Sequence, residues 1–357
     1  MSRTYELIKM IGSPFVPGLR PMDEEKLEAI YDQAFSDRVA LLCLDLHRRQ
    51  KGLGPVLEKK YQVLNQRRDN TLGVIADIGQ TLNPMGTDAY AVFKSLKPYP
   101  ATPNDTDVIV FGKRPEFEKA LNRLYDAEYF FHEWAPMQTT LIHPGGKGKT
   151  GKGKKGGTWY VDMYSDISTD YFLYIDKKAL APHVETRMIH GRPVQNVKKE
   201  IELAIILFHN VFPERTFQLE HFYMPLYHLA EPDFDLDLMV EFAKNQRLTR
   251  ALATNLTLVA HIHDQVFGFV PGPVSAVLEQ IGENRAELGR FIKGNQVTPY
   301  MISPTTFWKT FLDKIWDRAA FNSLICQGLH MLNPVFFLDV MKSLYNRFSE
   351  QGTYHME

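Results

Sequence analysis

The chain has 357 residues, room for two or three structural units at about 100–200 residues each. Its 41 basic and 42 acidic side chains leave a net charge of −1, which excludes polyanion binding by overall charge and confines any such attraction to a local patch. A hydrophobic content of 44%, with 23 Phe and 16 Tyr, excludes general disorder, and two cysteines, Cys43 and Cys326, exclude a disulfide framework or a thiolate metal centre.

Residues 1–88 read mainly as helix. The N-terminal stretch lacks the long apolar core of a signal peptide. Acidic residues after Pro21 lead into Leu27, Ile30, Tyr31 and Ala34 at helical spacing. An apolar helix over 39–46 follows, broken by Gly52 and Gly54, and two more helices are predicted over 55–67 and 71–82.

The pattern changes near residue 89. Residues 89–93 are short, apolar and aromatic, as in a strand. Pro98, Pro100 and Pro103 make 97–104 a loop. Residues 105–111 read as a strand, with Val108, Ile109 and Val110 β-branched in succession and Gly112 ending it. Pro115 opens a helix with an apolar stripe of Phe117, Ala120, Leu121 and Leu124. Strands near 129–134, 138–143 and 158–164 complete an α/β unit over 89–182. From about Val197 the pattern is helical, with candidates at 197–212, 236–252, 256–267, 274–291, 305–324 and 335–348. The expected fold class is α+β: a central α/β unit with a mixed sheet, between a helical region over 1–88 and a helical domain over 183–357. No apolar run is long enough to span a membrane, and a cytoplasmic location is expected.

The chemistry concentrates in three carboxylates. On a strand Asp105 and Asp107 point the same way, about 6–7 Å apart. Two carboxylates so close repel unless a cation lies between them, and a hard divalent ion suits oxygen ligands. Asp162 sits within the otherwise apolar run Trp159-Tyr160-Val161-Asp162-Met163-Tyr164, where a lone charge is costly without a partner. Three such acids can hold two Mg²⁺ ions for phosphoryl or nucleotidyl transfer.

Other acidic and basic features read as ordinary structure. Asp233 and Asp235 precede helically spaced Leu236, Met239 and Val240, and are read as N-capping acids. Asp166 and Asp170 are turn residues, and Lys113 and Arg114 are solvated at a helix start. The histidines form no zinc motif, and His209 is a core histidine. In the Gly/Lys-rich stretch, Gly148-Lys149-Thr150 lacks the upstream glycine of a phosphate-binding P-loop. Its five lysines between Lys147 and Lys155 offer a contact to RNA or another polyanion; the other reading is a solvated hairpin tip.

The order of these features resembles the polymerase-β-type nucleotidyltransferase superfamily, in particular its minimal prokaryotic branches. Those proteins carry a Gly-Ser or Lys-Gly motif, then an Asp-x-Asp strand, then a third Asp on a neighbouring strand. Phe93-Lys94-Ser95, Asp105-x-Asp107 and Asp162 take these places, and the resemblance covers residues 89–182. It implies transfer of an NMP from an NTP such as ATP to an acceptor hydroxyl. Asp105 and Asp107 would hold both Mg²⁺ (or Mn²⁺) ions. Asp162 would complete the one that activates the acceptor, and could act as its base. Lys94 and Ser95 would grip the triphosphate. The chain departs from the family in one respect: Lys94 stands where the family's glycine is expected. That leaves open a catalytically degenerate module that binds nucleotide or RNA, and a helical scaffold with an incidental acidic pair. The acceptor, RNA or protein among the candidates, is not encoded in any motif.

Overall fold

The computed structural model describes residues 3–16, 23–103, 105–143, 159–169, 171–282, 298–338 and 341. The lysine-rich loop between Lys147 and Lys155, with its expected polyanion contact, lies outside them, as do Asp170 and most of the helix expected over 335–348.

The architecture is mixed α+β around a seven-stranded mixed sheet. Four helices come first: α1 (Arg3–Ile11), α2 (Glu24–Ser36), α3 (Ala40–Lys51) and α4 (Pro55–Leu82). The two helices expected over 55–82 are therefore one. Only the polar residues Arg68, Asp69 and Asn70 separate the two predicted segments, and without a proline a polar stretch does not break a helix. The central strands are β1 (Tyr90–Phe93), β2 (Asp105–Val110), β3 (Phe130–Ala135), β4 (Gln138–Ile142) and β5 (Tyr160–Tyr164), with helix α5 (Arg114–Asp126) between β2 and β3. A small hairpin, β6 (Ile167–Thr169) and β7 (Phe172–Ile175), forms its own sheet before the short helix α6 (Lys177–Leu180).

The sheet runs past residue 182, where a purely helical region was expected. Strands β8 (Val184–Ile189) and β9 (Arg192–Val197) extend it, in the order β3-β4-β5-β2-β1-β9-β8. Their turn is His190-Gly191, both with positive φ (48° and 74°), the backbone pair that a two-residue hairpin of this twist needs. Edge strand β8 is polar and half-exposed, so it carries none of the apolar run that marks an inner strand.

Beyond the sheet lie α7 (Lys199–His209), a π-helical turn (Asn210–Glu214), α8 (Leu219–Leu229), α9 (Leu236–Asn245), α10 (Thr249–Phe267), α11 (Gly272–Ile281), α12 (Pro304–Lys314) and α13 (Arg318–His330). Strands β10 (Thr216–Phe217) and β11 (Tyr300–Met301) pair antiparallel. The helix expected over 236–252 ends at Asn245, because Arg247 takes a left-handed conformation (φ 53°) and Leu248 starts the next one. Among the described residues no helix is long and apolar enough to cross a membrane.

Alternation along the strands divides the core in two. Tyr90, Val92, Val108, Val110, Val161 and Met163 pack against α4 and α5. Ala91, Phe93 and Ile109 face the opposite side, in one cluster with α1–α3 and α7–α10. Asp105, Asp107 and Asp162 belong to this second face by the same period of two. Helix α4 approaches β9 closely at Gly79, where a Cβ would lie 2.8 Å from both the Pro193 carbonyl oxygen and Val194 Cγ2. A backbone oxygen and a methyl of a buried, stiff valine side chain cannot yield cheaply. Gly79→Ala is expected to destabilise the fold by about 2 kcal/mol, because overpacking outweighs the better helix propensity of alanine. Urea unfolding measures this; an unchanged midpoint would show that the helix can shift away.

Candidate functional site

The sheet brings the three acids together through register. Strand β2 runs antiparallel to β1 and parallel to β5, and Asp107 is paired with Phe93 on one side and Asp162 on the other. On β4, Thr140 stands opposite Asp162, and its hydroxyl donates to Asp162 Oδ1 at 2.6 Å. The row Phe93, Asp107, Asp162, Thr140 therefore crosses four strands. Asp105, two residues before Asp107, is exposed at the strand's start and pairs in register with Tyr160.

Lys94 follows β1 directly. Its φ is 59°, a left-handed conformation in which glycine is at ease and a lysine is not. This turns the side chain back over the row, and Nζ lies 3.1 Å from Asp107 Oδ1. The rings of Phe93 and Tyr164 flank the ammonium, with centroids 5.1 and 5.5 Å away. Burial works against the ammonium, but Asp107, Tyr174 and Asp105 outweigh it and hold the group above its ordinary range. At Asp107, burial dominates, and Asp105 and Asp162 add to it. Together they outweigh Lys94 and push the carboxyl up to about 7. Burial, with Asp105, raises Asp162 too, against the hydrogen bond from Thr140.

Ser95, expected to grip phosphate, sits just after β1 beside the β2 backbone. It is buried; its hydroxyl donates to the Phe93 carbonyl at 3.1 Å and accepts the Asp107 N–H at 3.0 Å. The hydroxyl is spent inside the β1–β2 connection, where it fixes the height of Asp107 relative to Lys94. It lines a small neighbouring cavity of about 40 Å³.

A cavity of about 350 Å³ opens beside Asp105, Asp107 and Lys94. Asp162 is not part of its lining. The rest of the wall comes from distant chain segments: Arg38 between α2 and α3, Lys97 in the β1–β2 loop, His209 at the end of α7, Glu214 after it, and Glu220 and His221 on α8. Lys97 Nζ lies 2.6 Å and Arg38 3.7 Å from Glu220. Burial alone would raise Glu220; Lys97 and Arg38 bring it down to about 2. Burial lowers His221 to about 3 and His209 well below its ordinary value, so both are neutral at pH 7. His221 Nδ1 accepts the Gln218 N–H at 3.0 Å. Its proton is therefore on Nε2, 3.8 Å from Glu214, and His221 lacks the lone pair there that a metal ligand needs. Sequence reading missed these wall residues. Glu220 carried a signal: a charge inside the apolar run Leu219-Glu220-His221-Phe222-Tyr223-Met224 needs a buried partner.

Of Asp233 and Asp235, both read as N-capping acids, only Asp235 is the cap. Asp235 caps α9 by accepting the Leu238 N–H, and Asp233, on the surface, pairs with Lys199. Lys113 precedes α5, and Arg114 pairs with Glu118 in solvent.

For a divalent ion, the donors that suit it are Asp105, Asp107 and Asp162: hard oxygens on one sheet face, each within electrostatic reach of the others. Among the described residues no three His, Cys, Asp or Glu side chains are already drawn together as a metal-holding group. The ammonium of Lys94 stands at Asp107 instead. Removing the Thr140 hydroxyl takes from Asp162 the 2.6 Å hydrogen bond that helps to orient it, so Thr140→Val is expected to weaken Mn²⁺ binding about tenfold, as loss of an orienting partner does. A Mn²⁺ titration checks this; equal affinity in both proteins would mean that Asp162 is not a ligand.

Comparison with protein-family models, with curated proteins and with solved structures found no match.

Proposed function

We propose that the chain is a metal-dependent nucleotidyltransferase with the polymerase-β-type arrangement of its catalytic unit. The observation that carries this reading is the register that sets Asp107 beside Asp162 on parallel neighbouring strands, with Asp105 on the same face and a cavity of nucleotide-binding size alongside. The antiparallel β1–β2 pair, with Lys94 and Ser95 at its turn, agrees with the same resemblance.

The reaction joins the oxygen of an acceptor hydroxyl to the α-phosphorus of an NTP. The bond from that phosphorus to the bridging oxygen of the β-phosphate breaks, and pyrophosphate leaves. Asp105, Asp107 and Asp162 would hold Mg²⁺ or Mn²⁺, which when bound withdraws charge from the phosphate oxygens and acidifies the acceptor hydroxyl. Asp162, with its raised proton affinity, takes the hydroxyl proton as the new P–O bond forms. Lys94 faces the cavity and offers an ammonium to the triphosphate. Ser95 acts indirectly, by holding the Asp107 backbone. Neutral His209 and His221 give the cavity a stretch of wall that pairs with a ligand by hydrogen bonds rather than charge.

The test is Mg²⁺-dependent transfer of label from α-labelled NTPs to RNA, protein and small-alcohol acceptors. Labelling that needs both metal and Asp107 supports the reading; no labelling of any acceptor class removes it. The Lys94–Asp107 ion pair favours a second reading, a module that binds nucleotide without turnover. Titration calorimetry separates the two: nucleotide binding that is independent of Mg²⁺ and gives no labelling selects the module.

A further inference from the structure

We propose that Lys94 is a built-in cation that replaces one of the two divalent ions such a reaction would otherwise use, so that the site loads a single ion. The inference rests on the nucleotidyltransferase reading and deepens it.

Four observations point the same way. The ammonium is where a cation is wanted: 3.1 Å from a carboxylate oxygen of Asp107, which has acidic neighbours two residues away on its own strand and directly across on the next. The position is enforced, because residue 94 holds a left-handed backbone that points its side chain at this spot, and Ser95 ties the same turn to the Asp107 N–H. The environment suits an ammonium that stays put. Both partners are nearly buried, at 11% and 7% side-chain exposure, and two aromatic faces supply cation–π attraction. Finally, Lys94 also lines the cavity beside Asp105 and Asp107. An ammonium has three N–H donors, so one can serve Asp107 while another meets a phosphoryl oxygen, which is the bridging part a nucleotide-bound ion would play.

Charge balance gives the same count. Once ion binding has displaced their protons, three carboxylates carry −3; one divalent ion and one ammonium carry +3. A second divalent ion would have to displace the lysine from Asp107 into a buried setting where its charge has lost its partner, a costly exchange. A plain structural salt bridge would explain the contact to Asp107 but gives no reason for the lysine to line the cavity as well.

The experiment counts bound Mn²⁺ on the full chain by the EPR signal of the free ion, for the wild type, Lys94→Gly and Lys94→Asn. Glycine relieves the left-handed backbone, and asparagine tolerates it without charge, so one variant guards against misfolding of the other. The expected result is one ion in the wild type and two in both variants. Two ions in the wild type, no ion in it, or a count that does not rise when the lysine is removed each overturns the inference. None of these outcomes requires NTP. Failure of the nucleotidyltransferase reading appears separately, as absence of labelling by the wild-type protein.

Discussion

Asp107→Asn is expected to lower the rate of NTP-dependent labelling by about 10³-fold. The substitution keeps the shape of the side chain and its place in the β1–β2–β5 register, but removes the charge that pairs with Lys94 and would bind the metal. Loss of one preorganised electrostatic partner commonly costs 10²–10³ in rate. Here one residue serves both cations, so the upper end applies, about 4 kcal/mol of transition-state stabilisation. Asp233→Asn is the control. Asp233 shares the local alternating-acid pattern but is largely exposed at a helix entrance and pairs with Lys199, so its loss should leave the rate unchanged. Single-turnover labelling of both variants decides the matter. Equal rates in Asp107→Asn and the wild type would remove the acidic row from the chemistry.

What the residues disclosed before folding, and what they did not, follows the range of the interactions. Alternation within one strand is local, so Asp105 and Asp107 could be set on one face from spacing alone. Asp162 was legible because a charge amid Val161 and Met163 demands a partner, although the strand order that supplies it is not local. Lys94 was legible as a departure from the glycine of the resembling family, but not as the partner of Asp107. That role depends on a positive φ and on the antiparallel return of β2, and nothing in the tripeptide Phe93-Lys94-Ser95 specifies either. The hairpin of β8 and β9 was missed for a related reason. His190-Gly191 adopts the double left-handed turn that Asn-Gly usually signals, and histidine there gives a fainter cue. The cavity wall was the least legible part. Arg38, Lys97 and Glu220 lie far apart in the chain, and only packing α8 against the sheet side of the core turns them into one ion-paired group.

The same burial that shapes the site makes the stability of the metal-free protein depend on pH, with a sign that can be worked out. The unfolded chain releases the Asp107 proton near the ordinary value of 3.8, whereas the folded chain holds it until about 7. Between these values the folded state binds more protons than the unfolded one, so stability falls as pH rises through the interval. Three pKa units correspond to roughly 4 kcal/mol. Glu202, raised to about 7 by burial, tilts the curve the same way, and Glu220, lowered to about 2, tilts it the other way below pH 4.5. The informative quantity is therefore the difference between the wild type and Asp107→Asn in urea unfolding without divalent ions. Leaving Lys94 without its partner adds an offset of its own to the variant. The variant should gain roughly 4 kcal/mol on the wild type between pH 4 and pH 7, and nothing further up to pH 8. Mg²⁺ should restore part of that loss in the wild type at pH 8, by about 2.7 kcal/mol at a hundred times its Kd, because it binds only the folded carboxylates. At pH 5 the proton already occupies Asp107 and the ion should stabilise little. Parallel pH curves for the two proteins would mean that water reaches Asp107 freely, and an equal Mg²⁺ effect at pH 5 and pH 8 would place the ion elsewhere.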